Sequence, residues 1–106
     1  MFGEGDGGMV EIWYDLEYGE IEAKGHAGHG EKGKDIVCAA VSVLMDMLGR
    51  EAVRKSGGEC EMGEGRVKVR GYGFCYVCVL EAAVRALEAL EEKYPDNVKV
   101  KQAGEG

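Results

Sequence analysis

Residues 9–26 carry the sequence MVEIWYDLEYGEIEAKGH, and its alternating pattern decides the fold. Apolar side chains recur at every second position from Val10 to Leu16, with acidic residues and one tryptophan between them. Such alternation predicts a β-strand that is buried on one face and wet on the other. A turn at Gly19 and a second alternating segment over residues 20–26 complete a predicted β-hairpin.

A glycine-rich loop, GHAGHGEKGK at residues 25–34, follows the hairpin and leads into an apolar helix. Asp35 is predicted to be the N-cap of this helix, because its carboxylate can accept the free backbone N–H groups of the first turn. The apolar run predicts helix over residues 36–48. The helix then ends at Gly49 or continues through residues 50–55.

This helix is apolar nearly all the way round, with valine, alanine, leucine or methionine on every side. A helix that covers one face of a sheet needs only one apolar stripe. We therefore expect a second cover, which is either the other helix of the chain or a second copy of the protein.

The second half of the chain repeats the pattern in outline. Residues 59–62 and 66–70 predict a second hairpin, and residues 75–94 predict a second helix that ends before Pro95. Residues 98–101 are compatible with a short last strand. The expected fold class is α+β: a two-layer sandwich with an antiparallel sheet and two helices on one face, in the order ββαββα with an optional final strand.

A chain of 106 residues predicts one domain, which we place at residues 9–102 between a flexible acidic segment, 1–8, and a flexible tail, 103–106. No apolar run reaches the length of about 18 residues that a membrane span requires. The first residues do not resemble a signal peptide, so a cytoplasmic location is expected. The net charge of −7 disfavours nucleic-acid binding and suits a basic protein partner.

Cys38 is the residue of chemical interest. With Asp35 as the N-cap, it is expected in the first helical turn, where the positive end of the helix dipole stabilises a thiolate. Unpaired backbone N–H groups there are candidate donors to an oxyanion. Ser42 lies one turn later on the same face and is a candidate to contact a substrate.

His26 is the candidate base for this thiol. It ends the second predicted strand, and the following loop returns the chain to the start of the helix, so that His26 and Cys38 can form a base–nucleophile pair. From the residues alone, a buried cysteine that only fills the core remains the more common role. The catalytic reading is therefore one of two that stay open.

The remaining cysteines carry weaker signals. Cys75 and Cys78 form a single C-x-x-C at the start of the second helix, and packing against the core is their most common role. The alternatives are a zinc site completed by Cys60 or a thiol-redox pair. The His26–His29 spacing lacks the rigid geometry of a helical metal site, so no metal and no cofactor is expected.

Two segments carry a resemblance to a known family. Gly25-His26-Ala27 and the segment GKDIVCAAVS, residues 33–42, resemble the signature of the bacterial ribosomal-processing cysteine proteases, including the spacing between histidine and cysteine. The resemblance implies a protease in which Cys38 attacks the scissile carbonyl and His26 serves as general base and acid. It also implies supporting roles for Gly25, Asp35 and Ser42.

The resemblance further implies a substrate and an assembly state. Family members remove a short leader, ending in aromatic residues, from the amino terminus of large-subunit ribosomal protein twenty-seven, and they are homodimers. The residues expected to form a loop over the substrate are Ala27, Gly28, His29, Gly30 and Gly33. His29 departs from the family pattern, which often has an aromatic residue there. A non-catalytic module that binds a ribosome-assembly partner is the alternative function.

Overall fold

The computed structural model describes residues 9–25, 32–63 and 65–103, and for residues 32–35 it describes the backbone only. In these ranges the chain forms two β-hairpins, each followed by a helix, and a final strand. The elements are β1 (Val10–Asp15), β2 (Glu20–Gly25), α1 (Lys32–Lys55), β3 (Glu59–Gly63), β4 (Arg66–Arg70), α2 (Phe74–Lys93) and β5 (Val98–Gln102). This order confirms the predicted ββαββα arrangement and adds the final strand.

The strands form one sheet in the order β3-β4-β2-β1-β5. Both hairpins pair antiparallel, and β2 pairs antiparallel with β4, which joins the two halves of the chain through Ile21 opposite Val69. The last strand runs parallel to β1, with Val98 opposite Val10. The sheet is therefore mixed at the β5 edge, because the chain returns through α2 before it forms β5.

Both helices cover one face of this sheet, and the core lies between the two layers. Alternate strand residues such as Ile12, Ile21 and Val69 are fully buried there. The helices contribute rows at helical spacing: Val37, Val41, Met45, Leu48 and Ala52 from α1, and Tyr76, Leu80, Ala83, Val84 and Leu87 from α2. No helix in the described ranges is long and apolar enough to cross a membrane.

The other face of the sheet is charged and open. Ion pairs link neighbouring strands across it: Arg66 with Glu22, Arg70 with Glu20, and Lys101 with Glu11. Trp13 is the one large apolar side chain on this face among the residues that the structure describes, and the ammonium groups of Lys24 and Lys101 each lie 5.7 Å from its ring centroid. These cross-strand ion pairs and cation–π contacts stabilise the sheet face that no helix covers and that is exposed to solvent.

The start of α1 differs from the prediction. The helix begins at Lys32, so Asp35 lies within its first turn and is not the N-cap, and Gly33, predicted in the loop, is helical. An N-cap preference is worth only about 1 kcal/mol, and continuing the helix pairs further backbone groups.

The end of α1 also differs from one of the two predictions, and the packing around Gly49 gives the reason. Gly49 does not end the helix, which continues to Lys55. A β-carbon at Gly49 would lie 3.0 Å from the Sγ atom of Cys60 on β3. Glycine therefore serves here to let the helix approach the sheet closely.

Candidate active site

The direction of α1 determines which end of the sheet Cys38 is near. The helix ends at Lys55, shortly before Glu59, which aligns with Arg70 and through it with Glu20 at the start of β2. The amino-terminal half of α1 therefore points back towards Gly25, where β2 ends. Cys38 precedes Lys55 by 17 residues, which is about 26 Å of helix, whereas β2 spans about 20 Å.

Cys38 is a free cysteine, and as a residue it is half-buried and not fully enclosed in the core. It follows the fully buried Val37 and therefore lies at the border of the packed face of α1. Ser42, also half-buried, is one turn later on the same side of the helix. The two polar side chains predicted to act together thus share one side of α1.

The local surroundings of Cys38 differ from the prediction. Because α1 begins at Lys32, Cys38 is the seventh helical residue and lies in the second turn. Its N–H group donates to the carbonyl of Lys34 in a regular helix and is not free for an oxyanion. The helix dipole acts mainly within the first turn. The prediction that the dipole and the free N–H groups of the helix start act on Cys38 is therefore wrong for this geometry.

The last residue of β2, Gly25, has a backbone conformation that favours glycine. Its φ of +101° is a conformation that residues with a side chain rarely adopt, and a β-carbon there would collide with the carbonyl oxygen of Met9. Its N–H group donates to the carbonyl oxygen of Gly65 at 3.0 Å. The start of β1, the end of β2 and the turn before β4 therefore meet at the residue that precedes His26.

This geometry makes Gly25→Ala a sensitive change. We expect it to lower the free energy of unfolding by about 1–3 kcal/mol, since it adds backbone strain and a collision with Met9. Urea denaturation followed by circular dichroism measures the effect. Gly63→Ala is the matched control, because φ is not positive there and no atom lies within 4 Å of the added β-carbon. Equal stability of the two variants would contradict the strain assigned to Gly25.

The other predicted site residues divide into two groups. His26, Ala27, Gly28, His29 and Gly30 lie outside the described residues, so their predicted roles stay predictions. Gly33 and Asp35 belong to the first turn of α1, where the backbone is described but the side chain of Asp35 is not.

Cys60 is a less suitable nucleophile than Cys38. Burial, and secondly the carboxylate of Asp46, raise the pKa of the Cys60 thiol. Burial, followed by the charge of Cys60, raises the pKa of Tyr76 to about 12. The Tyr76 hydroxyl is buried without a hydrogen-bond partner among the described residues. Both groups therefore stay protonated at neutral pH and do not compete as nucleophiles.

Cys75 and Cys78 correct a second prediction. Both are exposed on α2, because the packed row of this helix runs through Tyr76, Leu80 and Leu87 instead. Their predicted packing role is therefore wrong. No three His, Cys, Asp or Glu side chains in the described part of the chain are grouped so that they could hold a metal ion.

Sequence reasoning missed a groove between α1 and the edge strand β3. It has a volume of about 300 Å³, and Gly49, Val53, Cys60 and Met62 line its apolar part. Asp46, Arg50 and Arg54 also line it, and the Nε of Arg50 donates to the carboxylate of Asp46 at 2.8 Å. We call this feature the β3 groove. The sequence pattern that indicates this groove is the pair Cys60 and Met62. They are two residues apart on β3, so both lie on the side of the strand that the helices cover.

Comparison with known proteins identifies the family. The family model of the cysteine protease Prp matches residues 9–99. The chain belongs to the cysteine protease Prp family. This membership confirms the predicted family and the predicted enzyme class, a cysteine protease. The match covers β1 to β4 and both helices, and it ends at the start of β5.

Solved structures share the fold of this chain. The SMU.848 protein from Streptococcus mutans is 30% identical, with a TM-score of 0.73 over 91% of this chain and 95% of that one. The essential ribosomal processing protease Prp from S. aureus, in complex with a substrate peptide, is 22% identical, with a TM-score of 0.71 over 89% and 97%. Its complex with a covalently linked product peptide is 23% identical, with a TM-score of 0.67 over the same shares. No curated protein matches the chain significantly.

Proposed function

We propose that this Prp family member is an endopeptidase that removes an amino-terminal leader from a large-subunit ribosomal protein with a Cys38–His26 dyad. The observation that carries the proposal is the position of Cys38. It is a free, half-buried thiol in the half of α1 that points to the end of β2. His26 directly follows that strand in sequence, so the order of elements favours a meeting of the two side chains.

The chemistry follows from these two groups. The Cys38 thiol transfers its proton to His26, and the sulfur attacks the scissile carbonyl carbon. The imidazolium returns the proton to the leaving amine, which leaves a thioester between Cys38 and the leader. Water then attacks the thioester with His26 as base, which releases the leader acid and restores the thiol. Ser42 is proposed to contact the substrate, and residues 27–30 to close over it. Asp35, in the first turn of α1, is proposed to support the site.

The proposed substrate class rests on relatives and on charge. The S. aureus ribosomal processing protease binds a substrate peptide and a covalently linked product peptide, and a thiol nucleophile forms such a covalent species. The net charge of −7 suits a basic ribosomal protein. We place the reaction in the cytoplasm, where ribosomal proteins are assembled.

The test is cleavage of the precursor of ribosomal protein twenty-seven that carries its leader. We expect the purified enzyme to shorten the precursor at one bond after an aromatic residue, as read by intact-mass spectrometry and amino-terminal sequencing. A stable complex without cleavage would instead support the alternative, a non-catalytic ribosome-assembly module. Neither cleavage nor binding would exclude both functions.

We also propose that the enzyme is a homodimer, because α1 keeps an apolar face that the chain itself leaves open. Ile36, Val43 and Met47 are 47%, 68% and 37% exposed, and they share the side of α1 opposite its core row. Leu44, on the neighbouring side of α1, is partly buried against the core. Of the two covers that the all-round apolar sequence leaves open, the other helix or a second copy, we propose a second copy for this exposed face.

Val43→Glu tests this dimer. We expect wild-type protein to elute with the mass of two chains in size-exclusion chromatography with light scattering. The variant should shift to the mass of one chain, because a buried carboxylate opposes association. Ala86→Glu, at an exposed position of α2, is the control and should not change the mass. A wild-type monomer at micromolar concentration would refute the dimer.

A further inference from the structure

The β3 groove lies beside an open sheet edge. β3 is the first strand in the sheet order and pairs with β4 alone among the described strands. The outer backbone groups of residues 59–63 therefore face no protein strand in the described ranges. Such an edge is a template on which an extended chain can add as a further strand.

The side chains along this edge fit an apolar guest. Met62 is 63% exposed and Val53 is 54% exposed, although both line the groove. The Asp46–Arg50 ion pair offsets two of the charges beside the groove, and Arg54 adds one positive charge there. The space of about 300 Å³ is at the lower limit for small-molecule pockets, and it suits one or two side chains of a strand whose backbone runs along β3.

The groove is continuous with the proposed active site. Cys38, Ser42 and Gly49 are separated by four and seven residues, so they lie on one side of α1. Cys38 precedes Gly49 by 11 residues, which is about 16 Å along the helix. An extended peptide covers that distance in about five residues. A chain whose scissile bond lies at Cys38 can therefore follow this side of α1 into the groove.

We propose that the β3 groove and the outer edge of β3 bind the extended substrate about five residues from its scissile bond, as a sixth strand with one apolar side chain in the groove. This subsite rests on the proposed function. A second copy of the protein is a weaker candidate for the groove, because the exposed face around Val43 lies on a different side of α1. The occupant is the peptide substrate itself.

The experiment uses leader-junction peptides of two lengths. The long peptide has about seven residues on each side of the scissile bond, and two short peptides end about three residues from it on one side or the other. For wild type we expect one truncation to raise KM about tenfold or more with little change in kcat, since it removes one buried side chain and its strand pairing. Val53→Asp should raise the KM of the long peptide to that of the short peptide affected by truncation, and it should not change the KM of this short peptide. Ala86→Asp is the matched control.

Binding separates this subsite from the proposed chemistry. Fluorescence anisotropy of the same peptides on Cys38→Ala protein needs no cleavage, and we expect the same tenfold loss of affinity on truncation or on adding Val53→Asp. If wild type cleaves long and short peptides with equal KM, or if Cys38→Ala binds them equally, the subsite is refuted while the protease stands. If no peptide is cleaved but the length-dependent binding is found, the proposed function fails and the groove stands.

Discussion

Replacing Cys38 with alanine is expected to abolish leader cleavage, with kcat lowered by at least about 10⁴-fold. The change removes the only atom in the proposed mechanism that bonds to the substrate. It should leave the fold intact, because Cys38 is half-buried at the border of the core row and alanine is a strong helix former. Continuous cleavage of a fluorogenic leader peptide measures the rate, and circular dichroism checks the fold.

Two further variants make the result specific to this sulfur. Cys38→Ser should be almost as inactive, because a hydroxyl is a far weaker nucleophile than a thiol at neutral pH. Cys75→Ala, which removes an exposed thiol on α2, should keep the wild-type rate. Cleavage that survives in Cys38→Ala but is lost in Cys75→Ala would move the nucleophile to α2 and overturn the proposed mechanism.

The fold was predictable where apolar and polar side chains alternate along a strand, because the alternation shows which face is buried. Val10 and Ile12 must share a face, as must Ile21 and Ala23, and the observed register places Ile12 opposite Ala23 in the core. A slip of either strand by one residue would bury its acidic side chains, Glu11 on β1 or Glu22 on β2, so the alternation specifies the pairing. The parallel pairing of β5 with β1 was not predictable, because residues 98–101 alternate equally well in either direction.

The site was less predictable, because it depends on where α1 begins. Asp35 is a strong local signal for a helix start, yet the helix begins at Lys32, since an N-cap contributes about 1 kcal/mol and tertiary context can exceed it. Likewise, a C-x-x-C pattern does not reveal which side of α2 is packed. Tyr76, between the two cysteines, takes the core position and leaves both thiols exposed.

The position of Cys38 in the second turn raises the importance of His26. A thiol in the first turn would gain from the helix dipole, but beyond it little of this effect remains. An adjacent imidazole is then the main means to take the thiol proton. We therefore expect His26→Ala to lower kcat/KM by about 10²–10⁴-fold, the range for loss of a general base. His29→Ala, the same change three residues along the chain, alters the proposed substrate loop but leaves the proposed base in place, so it should have a much smaller effect.

Alkylation of the thiols separates a base from a merely structural histidine. Iodoacetamide at pH 7, followed by peptide mapping, should modify Cys38 quickly in wild type and slowly in His26→Ala. Cys75 and Cys78 are exposed and should react equally in both proteins. Cys60 should react slowly in both, because burial and Asp46 raise its pKa, so that its thiolate becomes abundant only at higher pH. Unchanged Cys38 alkylation in His26→Ala, with slow alkylation in His29→Ala, would assign the base to His29 instead.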